Sequence, residues 1–482
     1  MALSLFAVVT PADEVRAAAA DVKQLPPEAC SAARYLTLYA IDPAKRHEAL
    51  QVIGYTLNTL SNSRAISPPV LVTPTLVRFS INQYTVRQDE FAAWAAAWEK
   101  LAESDPYFHL RTEVLNRQES VLSNKSSPRS GSVHQTTNHR PLTTFLTTDG
   151  GWADLNATAQ LREATHSAGA LLRADYFLVQ ATTTPHYYEF ADVPNTENEF
   201  LQSLGVDRAA IDHLHANAGA NLVLSGVTAK PRRIVWAQGP LGGVYSTLDV
   251  ERVDAERDPL RRPITAAGLA FRYDLGEWFA LAPNGLWRTA LFNSAGRRQD
   301  SVPDRVAKDT SDPAGDGIVI PIISCIRCHR EAGLRPFTDD ETKLLSGRVD
   351  LFSPDPTIVQ RAVEFYDEPR LQRQMEFDRQ TYADAVVRAT AGMKPEELAQ
   401  SLAALFREHA YLPVTPQQAA LEVGLNLTQF RQALAATRDP VILLLLENRS
   451  VLRGQWESSF AEAALAAEAF RQVITSNTRN SN

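Results

Sequence analysis

The sequence predicts an α+β protein, mainly α-helical, and three observations carry that expectation. Apolar residues recur at helical spacing over most of the chain. Between residues 221 and 305 the period changes to strand-like alternation, with Asn284-Gly285 set between two apolar runs as a hairpin signal. Beyond 305 the helical pattern returns, opened by Cys325-Ile326-Arg327-Cys328-His329. The expected layout is an N-terminal helical region, a central β-rich module with a hairpin, and a helical segment toward the C-terminus.

Composition bounds the function classes. At 482 residues the chain exceeds one ordinary core, so several domains are expected. Its 44% hydrophobic and 22% charged residues are those of a globular protein. The net charge of −8, with no basic stripe to offset it, excludes a nucleic-acid partner. No apolar run approaches the ~20 residues of a membrane span. The longest, Val441 to Leu446, reads as a buried helix segment. Met1 to Thr10 is apolar but lacks the basic start of a signal peptide, so an export signal is absent or truncated in this sequence.

The elements follow in order. Residues 1–116 read as an N-terminal helical region, with helices over Ala17 to Val22, Ala32 to Tyr39 and Lys45 to Leu57. Asp42-Pro43 supplies an N-cap and an N1 proline for the third. Trp94 and Trp98, four apart, share one helix face and read as core. Residues 117–141 are polar and aperiodic, a linker or loop. Helices resume over 142–220, where Thr196 and Glu199 have capping-box spacing and Gly205 follows as a stop. Strands are expected at Leu222 to Leu224, Ile234 to Ala237 and Val244 to Val250, then in the hairpin flanking Pro283-Asn284-Gly285. Residues 306–476 form the last region, where Thr415-Pro416 opens one of its helices.

Cys325 to His329 is a C-x-x-C-H motif, the pattern for covalent attachment of one c-type haem. Two thiols bracketing two residues can add to the two vinyl groups of one haem edge. The adjacent His329 supplies the proximal imidazole to iron. Only three cysteines occur, and Cys30 is distant in sequence. A zinc site would need two further soft ligands, and a thioredoxin-like pair would need a βαβ setting. Arg327 and Arg335 are candidates for the haem propionates. The sixth ligand is left open among Met393, in a short loop between helices, Met375 within a helix, His186 in an aromatic turn with Tyr187 and Tyr188, and no ligand at all.

The chain resembles the large single-haem cytochrome-c-like proteins of planctomycete-type and related bacteria. The resemblance runs over about residues 25–440. It rests on Asp105-Pro106-Tyr107-Phe108-His109, Arg173-Ala174-Asp175-Tyr176-Phe177, His186-Tyr187-Tyr188-Glu189-Phe190, Leu204-Gly205-Val206-Asp207, Tyr245 to Val250, Leu281 to Leu286, and Ile323 to His329. It implies export to the periplasm or beyond, haem binding and electron transfer. The family's haem residues carry over to Cys325, Cys328 and His329 alone. The leading expectation is a c-type haem protein that passes single electrons to a redox partner protein. A peroxidase-like haem oxidoreductase with an open distal site, and a binding protein with a structural haem, are the alternatives.

Overall fold

The computed structural model describes residues 9–107, 155–207, 217–222, 228, 230–259, 272–309, 317–329, 334, 355–357, 360 and 368–479. The polar stretch 117–141 and Arg335 lie outside the described residues. The chain folds as an α+β protein with two separate sheets.

The N-terminal region differs from its all-helical expectation. Helix α1 (Pro11–Val22) starts at a capping box in which Thr10 and Asp13 bond reciprocally. A one-turn helix α2 (Pro27–Cys30) follows, then strand β1 (Ala33–Thr37) where a helix was expected. All five β1 residues are buried, because helices cover both faces of this strand. Helix α3 (Arg46–Thr59) follows a short turn capped by Asp42, as the Asp-Pro pair predicts. Strands β2 (Val70–Thr73) and β3 (Leu76–Ser80) and helix α4 (Gln88–Ser104) complete this part. Trp94 and Trp98 stack at 6.1 Å in its core. Helix α5 (Leu155–Thr165) leads to β4 (Leu171–Arg173), giving a sheet of order β2-β3-β1-β4 in which only β1–β4 is parallel.

Helices α6 (Ala174–Ala181), α7 (His186–Phe190) and α8 (Glu197–Ser203) bridge to the second sheet. Thr196 caps α8, and Gly205, at φ +70°, ends it. The second sheet is an antiparallel meander of β5 (Asn217–Leu222), β6 (Arg232–Gln238), β7 (Gly243–Asp249), β8 (Leu275–Leu281) and β9 (Trp287–Asn293). The predicted Asn284-Gly285 turn joins β8 to β9, with Gly285 at φ +90°. Asn284 is buried there and donates through Nδ2 to the Asn58 carbonyl at 2.8 Å. The tip therefore docks on α3.

One face of the meander packs toward α8, where Trp278 donates to Glu197 at 2.7 Å. The opposite face is covered by helix α9 (Ile323–Cys328) and by α10 (Glu368–Ala389). Helix α11 (Pro395–Ala410) follows a turn in which Ala391 and Gly392 both have positive φ. Buried residues of both sheets, α9, α10 and α11 form one continuous core.

A smaller core belongs to α12 (Pro416–Glu422), α13 (Leu427–Ala433), α14 (Pro440–Leu446) and α15 (Arg453–Arg479). Thr415 caps α12 with Pro416 at its first position, as expected. The apolar run 441–446 lies in α14, but only Ile442 and Leu445 are buried, and Leu443 is exposed. Glu422, fully buried, ties this bundle to the rest. It accepts from Arg173 at 2.7 Å, Arg453 at 2.7 Å and Trp456 at 2.8 Å. No helix among the described residues is long and apolar enough to cross a membrane.

Candidate functional site

The site is built where α9 crosses the second sheet. Ile322 precedes the helix at φ +69°, ψ −71°, and Ile323 N–H bonds back to the Pro321 carbonyl at 3.0 Å. That is a γ-turn at positive φ, a conformation a β-branched residue adopts only under constraint. The sharp turn aims α9 at the sheet, with Ile323 and Ile326 buried. Ser324 fastens the start of the helix by accepting from Ile320 N–H at 3.0 Å. His329 ends it, its N–H closing on the Cys325 carbonyl at 2.8 Å.

Helical spacing puts Cys325, Cys328 and His329 at i, i+3 and i+4, on one side of α9. Each meets a different row of the sheet. Residues directly opposite on antiparallel strands share a face, so register defines the rows. Arg232 and Asp249 form the first row with Leu275, and they bond bidentately at 2.7 and 2.5 Å. Ile234, Thr247, Glu277 and Leu291 form the second. Trp236, Tyr245, Phe279 and Thr289 form the third. Leu281 and Trp287 stand in the fourth. Cys328 lies within electrostatic reach of Arg232. Cys325 Sγ–H donates to Glu277 Oε1 at 3.5 Å. The His329 ring rests on Phe279, 5.2 Å between centroids. Thiols and imidazole thus climb the sheet from the first row to the third.

The enclosure is aromatic. Tyr55 and Tyr382 are buried with hydroxyls 3.2 Å apart, and Trp287 packs on Tyr382 at 5.6 Å. Burial pushes the Tyr55 hydroxyl up to about 12. Burial, and then the neighbouring Glu277 charge, drive the Cys325 thiol well above its ordinary range. Burial likewise raises the Glu277 carboxyl, against the pull of Arg232. Cys325 is therefore a protonated thiol in the folded chain, and all three cysteines are free of disulfides.

The other sequence candidates fall in different places. Arg327 Nη2 donates to Asp309 at 2.6 Å and to Ser324 at 3.2 Å, which pins the preceding loop to α9. Met393 is buried in the α10–α11 turn, with its N–H on Thr390 Oγ1 at 2.9 Å. Met375 is buried on α10, and both methionines belong to the same core as Cys325. His186 sits on α7 with Nδ1 3.3 Å from Glu189. Its neighbours Tyr187 and Tyr188 serve the sheet. Their hydroxyls accept the outward N–H groups of Thr289 and Leu291 on edge strand β9, each at 3.0 Å.

Glu277, Phe279, Trp287, Tyr55 and Tyr382 were not singled out as site residues from the sequence. The one available signal was Glu277, a charge inside the apolar strand run Leu275 to Leu281. Their convergence depends on tertiary packing alone. Among the described residues no three His, Cys, Asp or Glu side chains form a metal-holding group. A c-type haem asks for a different set, two thiols and one imidazole, and that set is present on one side of α9. The buried indole N–H of Trp287, on the facing sheet, has no partner among the described residues. A group bearing a carboxylate would supply the missing acceptor, so the residues fit a haem. Comparisons with family models, curated proteins and solved structures find no match for this chain.

Proposed function

We propose that the chain is a c-type haem protein of the single-haem cytochrome-c-like group, passing single electrons to a partner protein outside the cytoplasm. Cys325 and Cys328 would hold the haem as thioethers and His329 would be the proximal ligand. The observation that carries this reading is the placement of two thiols and one imidazole on one side of α9. A structural zinc site would need two further soft ligands, and none joins this group among the described residues. Attachment adds S–H across each vinyl double bond, sulfur to one carbon and hydrogen to the other.

When bound, the haem supplies reversible one-electron chemistry. The protein's part is to fix and shield it. Phe279 holds the plane of the His329 ring by edge and face contact, and the Tyr55, Tyr382 and Trp287 side chains exclude water. Exclusion of water lowers the local dielectric and so shifts the potential of the iron. Met393 and Met375, buried in the same core, are the thioether candidates for the sixth position.

Production with haem-maturation machinery tests the reading. The expected result is one haem retained through denaturation, seen by intact mass and by the pyridine haemochrome spectrum. It should be lost in a Cys325→Ala/Cys328→Ala variant. A wild-type product with no covalent haem overturns the proposal. Carbon monoxide added to the reduced protein then reads the sixth position. No spectral change means a protein ligand, and Met393→Ala and Met375→Ala identify which methionine, if either, supplies it.

A further inference from the structure

On the haem reading, which this step presupposes, we infer that Trp287 anchors a haem propionate through its indole N–H. The tryptophans of the described residues divide into two groups. Trp98, Trp278 and Trp456 donate to a backbone carbonyl or a carboxylate. Trp94, Trp236 and Trp287 have buried Nε1 donors with no acceptor among the described residues. A buried N–H left unpaired is costly, so such a donor asks for a ligand. Trp94 lies in the N-terminal aromatic cluster against Phe79 and Phe190, away from α9. That leaves two on the face beneath the motif.

The rows of the sheet choose between them. The thiols stand over the first and second rows and the imidazole over the third. A haem carries its propionates on the edge opposite the vinyl groups that the thiols take. Continuing in the same direction past His329 reaches the fourth row, about 7 Å further along the strand. Trp287 stands there, 6.5 Å from the Phe279 ring that supports His329. Trp236 is level with Phe279, on the far side of Tyr245, and carries Arg370 over its ring at 5.0 Å. The sequence-expected propionate partner Arg327 is bonded to Asp309 instead.

The test uses holoprotein whose covalent haem has first been confirmed. In Trp287→Phe the propionate loses a donor and its negative charge is less balanced. The expected results are a lower midpoint potential and a propionate proton affinity about tenfold higher, an upward move of about one unit in the pH dependence of the potential. Trp236→Phe should match wild type in both. If Trp287→Phe fails to accumulate, wild-type protein with ¹⁵N-labelled tryptophan answers. On haem attachment the assigned Trp287 indole N–H should move downfield as it gains an acceptor, with Trp236 unmoved. A covalent haem with Trp287 unaffected in both measurements overturns this inference alone, whereas absence of covalent haem in wild type overturns the haem reading with it.

Discussion

Replacing Glu422 with Gln isolates the charge that joins the C-terminal bundle to the rest of the fold. Glu422 is fully buried and accepts five hydrogen bonds. Oε2 takes Arg173 at 2.7 Å, Trp456 at 2.8 Å and Tyr107 at 3.4 Å, and Oε1 takes Arg453 at 2.7 Å and Gln418 at 3.0 Å. Glutamine keeps the shape but removes the charge and presents an NH₂ group to a ring of donors. Arg173 retains Asp175, at 3.0 and 2.5 Å, while Arg453 loses its carboxylate. Breaking a buried pair in this way costs about 3–5 kcal/mol. The sign with pH follows from the direction of the shift. Burial would raise the Glu422 carboxyl, but Arg173 and Arg453 outweigh it and hold it far below the usual range. A depressed folded-state pKa contributes stability that is complete above the unfolded carboxylate value of about 4.3 and is lost as pH falls toward the folded value. The gap between wild type and Glu422→Gln in urea unfolding, followed by tryptophan fluorescence, should therefore be widest near pH 7 and narrow below about pH 4. A gap that stays constant across that range would show that shape, not charge, is at stake, and would refute the reasoning.

Two further variants probe the support beneath α9. Tyr187→Phe removes the hydroxyl that accepts the Thr289 N–H on edge strand β9. A loss of about 1–3 kcal/mol is expected, with faster amide exchange at Thr289. Gly243→Ala places a Cβ against the Tyr245 ring, while Gly243 N–H and Tyr245 Oη both donate to Asp378, at 2.8 and 2.6 Å. The added methyl should loosen α10 from the sheet and lower stability by about 1–3 kcal/mol, read by thermal unfolding.

The sequence made the punctuation of the fold legible and left its convergence hidden. Asp42-Pro43, Thr196 and Thr415-Pro416 act locally, through a side-chain oxygen on a nearby backbone N–H, and each was placed from sequence. The Asn284-Gly285 hairpin is equally local, since Gly285 adopts the positive φ that its turn requires. Strand β1 was missed because Arg34-Tyr35-Leu36 has neither helical nor alternating pattern when both faces are buried. The motif was legible as three residues within one helical turn. Glu277, Phe279 and Trp287 were not, because nothing between residues 277 and 325 encodes which row of the sheet α9 will cross. Arg327 shows the same limit from the other side. Its position beside the haem motif suggested a propionate, but a carboxylate at Asp309, eighteen residues away in sequence, claims its guanidinium.

On the proposed haem reading, the packing around Cys325 also dictates when attachment would occur. In the folded chain the Cys325 side chain is buried against Glu277, and burial with that carboxyl holds the thiol protonated. Addition to a vinyl group needs both access and thiolate character, and the fold restricts both. In the unfolded chain the thiol is exposed, with a pKa near the ordinary value of about 8.5. Attachment should therefore precede closure of α9 on the sheet. The assay is an order-of-addition experiment with reduced apoprotein. Haem offered to folded apoprotein at pH 7 should give little covalent product, and haem present while the chain refolds from urea should give substantially more, both scored by intact mass. Glu277→Gln removes the neighbouring carboxylate charge and should raise the yield on the folded chain, because one of the two causes that suppress the Cys325 thiolate is gone. Equal yields from folded and refolding wild type would mean that the thiol is reachable behind α9, and the enclosure described for Cys325 would then be wrong.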